Sequence, residues 1–196
     1  MRNAAASLRE SAVDSEIGAR MRRMRRERGL SLEEVGGRTG FSIGFLSQIE
    51  RGLSSPTLRV LAAVADALGV ALAALFPGSV AEPDRGAVVV RSASRHEMQL
   101  WRSGIRKQLL TPLAEGARLN VTLVELEPGA STGDELYTHN GEEAGLILSG
   151  AMSLTVENET WTLREGDSFR FLSSRAHRFA NVGEGVTRVI WVNSLT

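Results

Sequence analysis

Between Ile17 and Phe76 the apolar positions recur every three or four residues, and beyond Arg118 they recur every second one. The chain changes texture once, and each texture predicts its own fold. In the first, Ile17, Met21, Met24 and Arg28 share one face of a helix whose other positions are largely arginine. "SLEE" (31–34) is a capping box that starts a second helix at Leu32, and Gly40 ends it. Ser42 caps a third helix with Phe45, Leu46 and Ile49 inward, stopped by Gly52. Ser55 and Pro56 read as N-cap and first position of a fourth, which buries Leu58, Leu61, Ala65 and Leu68; a short fifth follows Gly69. The expectation is an all-α unit of five helices over 16–76.

"PGSVAEPDRG" (77–86) has two prolines, two glycines and no apolar period, and reads as a linker. The segments 118–126, 152–163, 167–171, 177–181 and 187–192 then alternate inward and outward positions between turns such as "REGD" and "VGEG". So many short strands imply an antiparallel sandwich or barrel over 87–196. Residues 1–15 hold no apolar stretch of signal-peptide length and are expected to be a flexible tail. The most apolar run (60–76) is broken by Asp66 and Gly69 and is too short to span a membrane, so a cytoplasmic location is expected.

Composition sharpens this picture in two ways. There is no cysteine, which excludes a disulfide scaffold and thiolate metal sites. The formal net charge is zero, but residues 1–78 carry 11 arginines against eight acidic residues, and nine of those arginines lie within 20–59. A short basic segment on helices suits an anionic partner.

Two short helices joined by "TGFS" (39–42) form a helix-turn-helix, the geometry that lays the second helix in a major groove. A helical protein-binding module would share that layout. The segment "GLSLEEVGGRTGFSIGFLSQIERG" (29–52), followed in register by "P.L..L...LGV...LF", closely resembles the lambda-repressor-like, or XRE, family of helix-turn-helix regulators. The resemblance implies a recognition helix at 42–51, with Ser42, Ile43, Gly44, Ser47 and Gln48 facing the groove. Gln can bond an adenine edge, and Ser either pattern. It also implies an ion pair of Arg25 with Glu50 beneath that helix. Arg22, Arg26, Arg38, Arg51 and Arg59 are phosphate-contact candidates, each with a plain solvated role as the alternative. Gly36 and Gly37 depart from the family pattern, and each is expected to cost its helix about 1 kcal/mol.

In the second half, five residues separate Gly133 from His139, six separate Glu143 from Gly150, and Gly166, His177 and Asn181 follow. These spacings resemble both motifs of the cupin family, small β-barrels (double-stranded β-helices) with a metal or ligand pocket. The family's second histidine is replaced by Gly141, and the second motif's proline and glycine by Leu172 and Ser174. What the resemblance leaves is His139, Glu143 and His177, two imidazoles and a carboxylate suited to a divalent ion such as Zn, Fe, Mn or Ni. Four apart, His139 and Glu143 can point to one side of a strand. The same residues could instead hydrogen-bond an organic effector without metal. Gly145, Ile147, Phe179 and Asn181 share the phase of the triad and are expected to line the pocket.

The order of domains resembles the XRE-cupin transcriptional regulators. That resemblance implies a homodimer on a palindromic double-stranded DNA operator, repression by family habit, and a barrel that senses a small-molecule effector. The rival is an enzyme, since the same order is similar to the hydroxypropylphosphonate epoxidases, mononuclear non-haem iron(II) cupins. There the triad would hold iron and the outer arginines would have no task.

Overall fold

The computed structural model describes residues 2–70, 72–76, 88–100, 103–112 and 117–194, so the expected linker at 77–86 lies outside the described residues except as a boundary. Contacts divide the chain into two units, Met1–Ser79 and Val80–Thr196.

The first unit contains α1 (Arg2–Glu27), α2 (Leu32–Thr39), α3 (Ile43–Glu50) and α4 (Leu58–Leu68). The expected fifth helix is a single 3-10 turn at Leu72–Leu75, because the chain leaves Gly69 in the left-handed region (φ 64°) and four residues do not complete an α-helix with its own i→i+4 ladder. The expected tail is corrected as well: its backbone continues α1 from Arg2, which follows from a run of good helix formers such as "AAASLRE".

Local chemistry sets the remaining ends. Ser31 accepts from the Glu34 amide and Glu34 returns to the Ser31 amide. Gly40 closes α2 with φ 74°. The cap of α4 is Thr57, whose hydroxyl accepts from the Val60 amide, and not Ser55, whose hydroxyl instead bonds Asp14 of α1. Ile17, Met21, Val35, Leu46, Ile49 and Leu61 are buried together. Gly18 lets α1 touch α3: a Cβ there would lie 2.0 Å from the Ile49 carbonyl oxygen.

Among the described residues the second unit has nine strands, all paired antiparallel: β1 (Glu97–Leu100), β2 (Ile105–Leu109), β3 (Leu119–Leu126), β4 (Glu142–Ser149), β5 (Ala151–Val156), β6 (Glu159–Arg164), β7 (Ser168–Leu172), β8 (His177–Asn181) and β9 (Thr187–Ser194). One sheet has the order β1-β2-β3-β9-β4-β7 and the other β6-β5-β8. Their inner faces meet through aromatic rings, Phe179 against Trp191 at 4.6 Å and Phe171 against His177 at 4.9 Å. The stretch 152–163, expected as one strand, is a hairpin. The chain reverses at Glu157 (φ 56°), whose carboxylate is held by Arg175 at 2.8 Å. Among the described residues no helix is long and apolar enough to cross a membrane.

The two α2 glycines are not equivalent. A Cβ on Gly37 meets nothing within 4 Å, whereas one on Gly36 lies 2.9 Å from the Phe41 carbonyl oxygen. Gly37→Ala is therefore expected to stabilise the helical unit by about 1 kcal/mol. Gly36→Ala should return less than that or destabilise, as read by thermal melts at 222 nm.

Candidate functional site

In the helical unit the third helix is set on a buried ion pair. Glu50, 9% exposed, receives one edge of the Arg25 guanidinium on both its oxygens, Nε to Oε1 at 2.6 Å and Nη2 to Oε2 at 2.8 Å. The third Arg25 nitrogen donates to the Leu30 carbonyl at 2.7 Å. This fork fixes the end of α3 against α1 and the loop before α2. Leu46 and Ile49 turn inward, while Ile43, Gly44 and Gln48 stand exposed and Ser47 half-buried on the opposite side. Ser42 is exposed too, but its hydroxyl caps α3 by accepting from the Phe45 amide.

The arginines divide by position. Arg22 and Arg26 are exposed on α1. Arg38 is exposed but bonds the Ala67 carbonyl, and Arg51 bonds the Ser47 carbonyl. Arg59 lies 5.6 Å from the Phe41 ring. Arg20, part of the same basic run, is buried and ties α1 to Phe76 through that residue's carbonyl.

In the barrel, His139 Nε2 lies 2.5 Å from Glu143 Oε1, and His177 Nε2 lies 3.5 Å from the same oxygen. All three ligand atoms fall within 4.8 Å of one another. Glu143 is on β4 and His177 on β8, in different sheets. His139 precedes β4, so the pair does not share a strand as the four-residue spacing suggested. It is held by the bridge between Tyr137 and His177 and by its own amide on the Ser173 carbonyl. The replaced family histidine has a steric reason: Gly141 sits at φ 105°, and a Cβ there would lie 2.7 Å from the Ser194 carbonyl oxygen.

The ring nitrogens show what the cluster is prepared for. Nδ1 of His139 meets the Asn140 carbonyl at 2.9 Å and Nδ1 of His177 the Arg175 carbonyl at 2.8 Å. A carbonyl only accepts, so each Nδ1 carries its ring hydrogen and each Nε2 presents a lone pair to the cluster. His177 Nε2 is buried with no hydrogen-bond partner. Two lone pairs converging on a carboxylate call for a cation among them, either a proton shared by His139 and Glu143 or a metal ion. The donor set fits a divalent ion, and all three residues are within reach of holding one.

Electrostatics agree. Burial opposes charge on His139, but the Glu143 hydrogen bond and charge outweigh it and hold its pKa above the ordinary value. Burial would raise the Glu143 carboxyl, yet the His139 hydrogen bond and surrounding positive groups hold it below. Burial pushes His177 down, so it stays neutral.

Trp191 completes the site, donating its indole N–H to Glu143 Oε2 at 2.8 Å. Only its inward phase on β9 marks it in the sequence. Of the expected lining residues, Ile147 and Phe179 are buried in the interior. Gly145 makes room for Phe169, whose ring a Cβ would approach to 2.4 Å. Asn181 is corrected from pocket to scaffold. Its amide donates to the carbonyls of Leu126, Glu127 and Gly185, and its oxygen accepts from Gly183 and Thr187, which uses its whole capacity.

Protein purified without chelator is expected to carry a divalent ion that His139→Ala removes, measured by elemental analysis; metal-free wild type would refute this. Because the ion must displace the proton on His139, affinity should rise about tenfold per pH unit below that residue's raised pKa, then level off above it.

Both halves match known families: a helix-turn-helix domain over residues 16–75 and a cupin domain over 122–193. The HTH-type transcriptional regulator PuuR of Escherichia coli K12 is 27% identical over 91% of this chain and 95% of its own length. SutR, an HTH-type transcriptional regulator of the same organism, is 26% identical over 86% of this chain and 88% of its own. An HTH_3 family transcriptional regulator from Vibrio cholerae, solved by crystallography, is similar over 95% of this chain and 99% of its own at 25% identity, with a TM-score of 0.77. These full-length relatives are named as regulators, which favours regulation over the enzyme reading. The chain thus carries a helix-turn-helix domain followed by a cupin domain, and over nearly its whole length it is similar to HTH-type transcriptional regulators.

Proposed function

We propose that this DNA-binding regulator is a repressor that grips a palindromic operator as a homodimer and answers to a small-molecule effector bound inside the barrel. The observation that carries the DNA contact is the outward face of α3, where Ile43, Gly44, Ser47 and Gln48 stand free above the Arg25–Glu50 clamp. Gln48 reads a base edge, Ser47 supports it, and Ser42 shares its hydroxyl between cap and DNA. Arg22, Arg26, Arg38, Arg51 and Arg59 neutralise phosphates around it. Two-fold binding places the paired helices about 34 Å apart along the duplex.

Dimerisation through the barrel is supported by its outer surface. Leu146 and Leu148 of β4 and Leu172 of β7 point outward and are 41–55% exposed, beside Ile190 and Val192 of β9. Scattered exposed leucines are ordinary, but a contiguous apolar band on one sheet is the surface a second copy covers. Effector sensing is supported by the inward-facing lone pairs of His139 and His177. An effector regulates by binding the DNA-competent and DNA-incompetent arrangements with different affinity.

Binding to duplex DNA from upstream of the protein's own gene, followed by fluorescence anisotropy, tests the reading. Affinity should fall steeply with salt, and Arg22→Ala should lower the slope of log affinity against log salt by about one. Gln48→Ala should cost about 1–3 kcal/mol and relax preference at one base position. Indifference to duplex DNA in dilute salt would end the proposal. Leu146→Glu is expected to turn a dimer into a monomer by light scattering and to weaken operator binding with it; a monomeric wild type would remove the barrel interface.

A further inference from the structure

Lys107 stands on β2 at an inward position, between Ile105 and Leu109, and is only 8% exposed. A buried lysine normally ends on a carboxylate, because an unpaired ammonium in low dielectric is costly. Among the described residues no carboxylate lies within ion-pair distance of it, and the acidic charge that acts on it is that of Glu143. The nearest acidic charge, Glu143, has both oxygens engaged, Oε1 by His139 and Oε2 by the Trp191 indole. What surrounds the ammonium is aromatic: Nζ lies 5.9 Å from the ring centroids of both Phe179 and Trp191. Trp191 is thus a shared wall, with Lys107 over its face and Glu143 on its edge. Tyr137, buried and packed on His177 at 4.2 Å, adds a hydroxyl to the same interior.

From this arrangement we infer that the barrel interior binds a small organic carboxylate, whose anionic group pairs with Lys107 while its body lies among Tyr137, Phe171, Phe179 and Trp191, reaching toward the triad. The inference rests on the reading of the barrel as the effector site and names the class of that effector. Charge decides the class. Glu143 cancels a proton shared by the two histidines and only half the charge of a divalent ion, so in either case Lys107 is left as an uncompensated group. A cationic ligand would meet it with like charge, and a neutral one would leave it unpaired. An anion supplies what the fold withholds, and the aromatic walls favour an organic body over a bare inorganic ion. Burial pushes the ammonium toward its neutral form, and a bound carboxylate restores its charge.

The test is calorimetric titration of the full-length, DNA-free protein with benzoate and succinate against benzamide, succinamide and benzylamine, with inorganic phosphate and sulfate as separate arms. The carboxylates are expected to bind, their amides about tenfold or more weakly, and benzylamine not at all. Lys107→Met should weaken the carboxylates by a similar factor, and Lys107→Arg should keep most of the affinity. If Lys107→Met does not fold, the comparison of acid with amide on the wild type still decides. Equal binding of acid and amide, undiminished binding by Lys107→Met, binding of phosphate or sulfate in place of the carboxylates, or no carboxylate binding would overturn the inference. Carboxylate binding that leaves DNA affinity unchanged would support it while removing the effector role. Release of DNA by benzylamine alone would do the reverse.

Discussion

A carboxylate taken out of water must be met on both oxygens, and three buried glutamates of this chain show how much follows from that constraint. Left unmet, each would cost several kcal/mol. Glu50 is met by the fork of Arg25, which sets the height and tilt of α3. Glu125 on β3 is met by Arg106 of β2 and Arg188 of β9, its register partners on either side, and this locks three strands of the larger sheet. Glu143 is met differently, by a neutral indole and an imidazole. A guanidinium keeps its own charge across the accessible pH range, so it makes a structural joint. An imidazole partner makes a site whose charge can change and whose proton a metal can replace.

That difference separates positioning from chemistry in both units. The arginine of the helical unit most firmly held is not the one facing outward: Arg25 and Arg20 are spent on holding α1 against α3 and Phe76, and the exposed arginines surround what they hold. A rigid base beneath α3 means that little ordering entropy remains to be lost when its outer face meets a partner. In the barrel the rigid parts are backbone carbonyls, which fix the tautomer of both histidines before any ligand arrives. Asn181 belongs to the same class of holding residues, and it ties the β8–β9 turn to the end of β3.

The helical unit was legible because its signals are local. Ser31 with Glu34, Gly40 and Ser42 each act within four residues, so their chemistry is visible in a short window. Thr57 was missed because Ser55 next to Pro56 offers the same local signal, and only the distant Asp14 decides between them. In the barrel, β5, β7, β8 and β9 alternate and were readable apart from the hairpin at Glu157. Three strands escaped: β1, and then β2 and β4, which place Lys107 and, on β4, Glu143 and Gly145 at inward positions. There the binary pattern fails because the inward residues are polar or absent, which is how a site, as opposed to a core, announces itself. Trp191 had no such signal, since its partner is 48 positions away.

The inverted pattern of β4 carries one more step. Its inner positions are Glu143, Gly145 and Ile147, and its outer ones Ala144, Leu146 and Leu148, so the strand is greasier outside than in. For a lone barrel in water that arrangement wastes apolar burial and exposes charge to the interior. It becomes favourable when a second molecule covers the outer face and a ligand satisfies the inner one. A strand that touches both surfaces at alternate residues couples them through a backbone that cannot shift one side without the other. Glu143 and Leu146 are three residues apart, so an ion at the triad and a second copy seated on Leu146, if the proposed dimer forms there, would meet the two faces of the same strand.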